Sequence, residues 1–226
     1  MSALEDLLAY PARAAAVLQD EMAARWNLSL TQPGSARDAA VLILFGPAAG
    51  QEGRAWEDLA PEQLDLLLLQ RATTLGSHAG EVAFPGGKVD PGDTDERAAA
   101  LREAVEETGL EPSGVRLTGT LPRHPLPYSN FLVTPVLAWW ETPSPVYVVD
   151  PQESERVFRI PVHALLDPAN RVTASLRRAG IEFNSPAFQV DDVFIWGFTG
   201  KLIDETFHFL GWERPWDAGR KHFFEL

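Results

Sequence analysis

The chain has 226 residues, enough for one large domain or two small ones, and 45% of them are hydrophobic, which supplies a core and excludes global disorder. It contains no cysteine, so disulfides, thiolate metal sites and a cysteine nucleophile are excluded, and a reducing cytosol suits it. Nineteen Lys and Arg stand against 32 Asp and Glu, a net charge of −13, which makes the chain a poor general binder of DNA or RNA; a small anionic substrate would need a metal ion or a few placed arginines.

In chain order, residues 1–33 read as an N-terminal helical arm and 34–226 as one domain with an aromatic tail. Leu4, Leu7, Leu8, Ala14, Val17, Leu18 and Met22 fall mostly at helical spacing, with Pro11 as a break or a fresh start. No basic start precedes an apolar run, so no signal peptide is expected, and no stretch reaches the ~18 apolar residues of a membrane span. Residues 39–45 form a continuous apolar run, suited to a strand buried on both faces. Residues 61–69 read either as a helix start or as a strand leading to Arg71. Residues 81–84 read as a short strand that Pro85-Gly86-Gly87 ends with a turn, and residues 94–108 as a helix. Further strands are expected at 117–121, 131–140, 146–149 and 156–160, and helical pieces at 165–169 and 198–209. Alternating strands and helices point to an α/β or α+β sandwich.

The chemistry concentrates in residues 86–110, GGKVDPGDTDERAAALREAVEETGL. Asp93 is the expected N-cap, with Glu96 completing a capping box, and Gly109 is suited to the left-handed residue that ends the helix. Leu101, Ala104, Val105 and Thr108, extended by Ala98, mark the face expected to pack on a sheet. Glu103, Glu106 and Glu107 stand at i, i+3 and i+4, so they cluster on one side of about one turn. Three crowded carboxylates repel one another, and a hard divalent cation such as Mg²⁺ offsets that while being shared with substrate phosphates. Glutamates on a helix are more often a plain solvated face; the Gly86-Gly87 turn upstream shifts the balance, because backbone without Cβ approaches a metal or phosphate closely. Arg102 is placed to pair with Glu106, its i+4 neighbour.

Gly87, Arg102, Glu103, Glu106, Glu107, Gly109 and Leu110 resemble the Nudix box, G-x5-E-x7-R-E-U-x-E-E-x-G-U. The second half, REAVEETGL, matches at every fixed position. The first half departs: Asp93 stands where glutamate is expected, and eight residues rather than seven separate it from Arg102. Asp93 is therefore read as a helix cap, not a ligand. Leu67-Leu68, Arg71-Ala72 and residues 80–87, GEVAFPGG, are similar to the signature of the coenzyme A diphosphatase branch, as is the later Trp196-Gly197-Phe198-Thr199. One departure is Gly76, where that signature usually carries an arginine.

The resemblance implies a Nudix-type α/β/α sandwich with a mixed β-sheet, and water attack on the diphosphate bridge of coenzyme A, giving 4′-phosphopantetheine and adenosine 3′,5′-bisphosphate. It implies a Mg²⁺ or Mn²⁺ site at Glu103, Glu106, Glu107 and the Gly87 carbonyl. Glu103 or a loop acid, Glu153 with Glu155 as the neighbouring alternative, is the candidate general base. Arg71, Lys88 and His78 are the candidate substrate contacts, each weighed against a surface salt bridge or a loop hydrogen bond. Arg123, His124 and Tyr128 sit in a proline-rich loop of the kind that sets specificity. The rival readings are another Nudix substrate (ADP-ribose, a dinucleoside polyphosphate, a nucleoside triphosphate or an RNA cap) and a sensor that binds a nucleotide without cleaving it. No nucleic-acid or membrane partner is expected, and the oligomeric state, a homodimer included, stays open.

Overall fold

The computed structural model describes residues 2–17, 33–51, 53–74, 78–126, 129–178 and 181–224. The apolar run around residue 42 becomes the central strand β1 (Arg37–Pro47), buried on both faces as its composition demands. Ala40, Leu42 and Leu44 face one side; Ile43 and Phe45 face the other. β1 pairs in parallel with β7 (Phe131–Trp140) and antiparallel with β2 (Leu64–Arg71). β2 also pairs with β3 (Val82–Ala83) and β8 (Ser154–Pro161), while β1 pairs with the short β4 (Gly86–Lys88). β5 (Val115–Thr120) and β6 (His124–Leu126) flank β7. One parallel pair among antiparallel ones makes this eight-stranded sheet mixed.

Helices cover both faces. Helix α2 (Glu96–Thr108) packs on one of them through Ala99, Ala100 and Ala104, against Ala40, Leu42, Leu44, Val136, Ala138 and Trp140. The opposite face carries α1 (Ala3–Val17), α3 (Val162–Leu166) and α4 (Gly197–Leu210) in the larger core. The result is the expected α/β/α sandwich. Leu7, Tyr10 and Ala14 of α1 are fully buried in that core. Pro11 lies inside α1 without ending it, its ring against the position where Gly119 lacks a side chain. Residues 18–32, including Leu18 and Met22 of the expected arm, lie outside the described residues.

A second, four-stranded sheet was not anticipated. β9 (Arg171–Arg178) and β10 (Ile181–Val190) form an antiparallel pair, extended by β11 (Val193–Ile195) and by β12 (Lys221–Phe224), which runs parallel to β9. Phe188 and Val190 join the main core under α4. The aromatic tail docks through Trp212, which packs edge-on to Phe45 at 5.7 Å and donates its indole N–H to the Asp6 carboxylate at 2.9 Å. Residues 146–149 form no strand; they cross the end of α2 as extended coil, tied there by Tyr147 N–H donating to the Thr108 carbonyl at 2.9 Å. Among the described residues, no helix is long and apolar enough to cross a membrane.

Candidate active site at a glycine turn and a carboxylate helix

Gly86 and Gly87, expected to end a strand in a turn, instead follow a bend at Pro85 and form the strand β4; this glycine turn, bend and strand together, lies against α2. Gly86 pairs with Val41 and Gly87 with Ala40, so both backbones lie tight on β1. A Cβ on Gly87 would stand 2.5 Å from the Glu103 carboxyl, so the missing side chain is the space that carboxylate occupies. Gly86 N–H donates to Glu107 Oε2 at 2.9 Å. The turn and the glutamates thus form one unit, joined by backbone approach that only glycine permits.

Helix α2 starts later than the capping pattern suggested. Asp95, not Asp93, is the N-cap, accepting from Ala98 N–H at 2.8 Å. Gly109, at φ 67°, ends the helix as expected. The buried stripe is Ala99, Ala100, Ala104 and Thr108, whereas Leu101 and Val105 are only half-buried, a rotation that turns Glu103 and Glu107 towards the glycine turn. Replacing Asp95 by alanine is expected to cost about 1 kcal/mol of stability, with asparagine nearly neutral, as read by urea unfolding.

Asp93 has a different task. It takes two hydrogen bonds from Arg102, Nε at 3.0 Å and Nη2 at 2.9 Å, and Arg102 in turn reaches Glu103 (3.0 Å), Glu106 (2.9 Å) and the Lys88 carbonyl (3.1 Å). The expected Arg102–Glu106 pair is present as one arm of this hub. The guanidinium holds the Asp93 carboxyl below the usual carboxylate range, with help from the Asp90 backbone N–H. The extra residue and shorter acid in the first half of the motif therefore still deliver a carboxylate to Arg102. The signal was present in the spacing, but local helix rules favoured the cap.

Electrostatics single out two of the three glutamates. Burial pushes the Glu103 carboxyl up, partly opposed by Arg102. Burial pushes Glu107 up further, to about 7; the Gly86 N–H and the Arg71 charge oppose the rise, and Glu103 and Glu153 add to it. Arg71, at the end of β2, and Glu153, just before β8, are thus both near enough for their charges to act on Glu107. Arg71 Nε is buried without a hydrogen-bond partner among the described residues, leaving a donor ready for an anionic oxygen.

The other candidates stand apart. Lys88 is exposed, and strand alternation turns its side chain to the face opposite Gly87's. His78, at φ 55°, is exposed and bonds Glu81 at 2.8 Å, the loop hydrogen bond weighed from sequence. Arg123 pairs with Asp38, and His124 is buried with Nε2 3.2 Å from Glu205 Oε1. Tyr128 lies outside the described residues. Among the described residues, no three His, Asp or Glu side chains converge as the ligands of a bound metal would. Arg102 occupies Glu103 and Glu106 instead. The donor set nevertheless suits a hard cation: carboxylate oxygens and a glycine carbonyl, with two of the acids held under burial that an added positive charge relieves.

A family model described as NUDIX domain matches residues 59–178, more than half of the chain and all of this site. The chain belongs to the Nudix family. It is 39% identical over 139 residues to the uncharacterized Nudix hydrolase NudL of Yersinia pestis (strain Pestoides F), covering 61% of this chain and 68% of that one. Among solved structures it is similar to an Ap4A hydrolase from C. elegans (25% identity, 56% of this chain and 80% of that one, TM-score 0.41). It is also similar to a MutT/nudix family protein from Enterococcus faecalis (16% identity, 92% and 74%, TM-score 0.47). The protein is accordingly a Nudix hydrolase, and α2 with its glycine turn is its Nudix segment.

Proposed function

We propose that this Nudix hydrolase cleaves the diphosphate linkage of coenzyme A or its derivatives to 4′-phosphopantetheine and adenosine 3′,5′-bisphosphate. The reaction class rests on one observation: Glu103 and Glu107 lie against the Gly86-Gly87 backbone while the charges of Arg71 and Glu153 act on Glu107. The coenzyme A assignment rests on the likeness of residues 67–87 and 196–199 to that branch of the family.

In this reading, Glu103, Glu106, Glu107 and the Gly87 carbonyl hold Mg²⁺ or Mn²⁺. Such an ion neutralises the diphosphate oxygens and lowers the pKa of a bound water. Arg71 donates its free Nε–H to a phosphate oxygen. Arg102 fixes the carboxylates of Glu103 and Glu106, which would hold the ion, and is itself anchored by Asp93. Glu153, exposed and near enough for its charge to act on Glu107, accepts the proton of the attacking water; hydroxide adds to one phosphorus and the bridging oxygen leaves with the other. Lys88 and His78 are assigned as outer substrate contacts, reached only when the substrate extends beyond the glycine turn.

A substrate panel with product masses tests the reading. Release of 4′-phosphopantetheine from coenzyme A, lost in excess EDTA and restored by Mg²⁺ or Mn²⁺, supports it. Cleavage of ADP-ribose or a dinucleoside polyphosphate without cleavage of coenzyme A overturns the substrate. Undiminished turnover in EDTA overturns the metal. Glu153→Gln is expected to lower kcat by about 10² to 10⁴-fold; an unchanged kcat removes Glu153 as the base.

A further inference from the structure

Immediately beyond Arg71 and Glu153 the chain opens a cleft of about 310 Å³. One wall is Ala72, Thr73 and Thr74, the run-out of β2; the other is Val148, Pro151, Ser154 and Glu155, leading into β8. The walls are joined at the base, where Ala72 N–H donates to the Glu153 carbonyl at 2.9 Å and Arg71 pairs with Ser154. One end of the cleft therefore begins at the two residues whose charges act on Glu107.

Size and lining chemistry narrow what enters. Ligand pockets run from ~300 to ~1,000 Å³, so this cleft accommodates one arm of a diphosphate ester, not the whole molecule. Methyl groups, a pyrrolidine ring and three hydroxyls line it, and among the described residues no lysine or arginine does. Its one charged lining residue is the exposed Glu155, with exposed Asp150 nearby in the same loop. Carboxylates without a matching cation repel a further phosphate, whereas an apolar wall with hydroxyls suits a chain carrying amide groups.

We propose that this cleft receives the uncharged, amide-bearing arm of the substrate, and that Glu155 discriminates against arms ending in an anionic group. The inference rests on the coenzyme A reading, since that substrate pairs a phosphorylated nucleoside with an uncharged chain.

The test compares free coenzyme A, a thioester with a short neutral acyl group and a thioester whose acyl group ends in a carboxylate. The neutral pair should show similar KM, and the anionic thioester a KM about fivefold higher, with that ratio shrinking in high salt. Glu155→Gln should bring the ratio close to one. Val148→Trp, which fills the cleft, should raise KM for coenzyme A several-fold with kcat changed less than twofold. Val148→Ala serves as a second variant should the tryptophan misfold, and its KM should shift more for acylated than for free coenzyme A. Equal KM across the series, unmoved by Glu155→Gln, overturns the cleft while leaving the diphosphatase reading intact. Failure of the parent protein to cleave any of the three overturns that reading, and the cleft assignment falls with it.

Discussion

Glu107→Gln is expected to reduce turnover by about three orders of magnitude while the protein stays folded. An ion at a diphosphate supplies several kcal/mol of charge stabilisation, and each 1.4 kcal/mol is tenfold in rate. Burial is the main cause that pushes the Glu107 carboxyl up to about 7 from the ordinary 4.5. Glutamine keeps the acceptor oxygen for the Gly86 N–H but cannot carry charge to a cation. The sign of the pH dependence follows from the raised value. A carboxyl with a raised folded pKa prefers its proton in the metal-free fold, so this contribution to stability is full below about 4.5 and is lost as pH climbs through about 7. Metal binding needs the carboxylate, so Mg²⁺ or Mn²⁺ affinity should rise up to about pH 7 and then level, with protons released on binding below that point. Calorimetric metal titration in buffers of different ionisation enthalpy reads the proton release, and urea unfolding of the metal-free protein reads the stability slope. Glu107→Gln should flatten both. Proton release that persists in the variant assigns the titration to another group, and full turnover in the variant removes Glu107 from the site.

The glycine pair offers a second large effect, and its two members should fail differently. A Cβ on Gly87 meets the Glu103 carboxyl, the mobile end of a long side chain, which moves aside at little cost to the fold. Gly87→Ala should therefore leave the unfolding midpoint nearly unchanged but displace Glu103, lowering kcat by about 10²-fold or more. A Cβ on Gly86 meets β1 itself, 2.7 Å from Val41 Cα, and backbone does not give way. Gly86→Ala should destabilise the protein by about 1–3 kcal/mol or more as β4 is pushed off β1. Unfolding curves and kcat measured on both variants separate the cases. Equal loss of stability in the two would mean that Glu103 is held as rigidly as the sheet.

Where the sequence predicted well, the information was local. The Nudix segment is readable because the glycine turn, the alanine stripe, the carboxylates and Gly109 all fall within one contiguous stretch, and helix geometry converts spacing into position. β1 and β7 are readable because strands buried on both faces leave long apolar runs, broken in β7 only by Thr134. The second sheet was not, although Val172, Ala174 and Leu176 alternate with Thr173 and Ser175 along β9. That face is small and flanked by arginines, and the residues that share its burial, Ala187, Phe194 and Trp196, come from later segments of the chain. Asp93 was misjudged for a related reason. An aspartate three residues before Glu96 satisfies the local rule for a cap, and only the fold shows that Arg102 is the stronger claim on its carboxylate. Lys88 drew notice as a cation beside the glycines, but the face it presents depends on registry with β1, and no local pattern states it. The cleft beyond Arg71 was invisible for the same reason: its walls are some eighty residues apart.

The bond between Asp6 and Trp212 bears on how the molecule is made. Helix α1 is synthesised well before α4 and the indole that complete its binding site, which follow it by roughly two hundred residues. Until then Leu7, Tyr10 and Ala14 lack the part of their cover that α4 and Trp212 supply, and a stalled or prematurely ended chain leaves that apolar helix partly open to its surroundings. Nascent chains halted before Trp212 should be the aggregation-prone species, and a chaperone that shields α1 would act early and let go only when the last aromatic residues emerge.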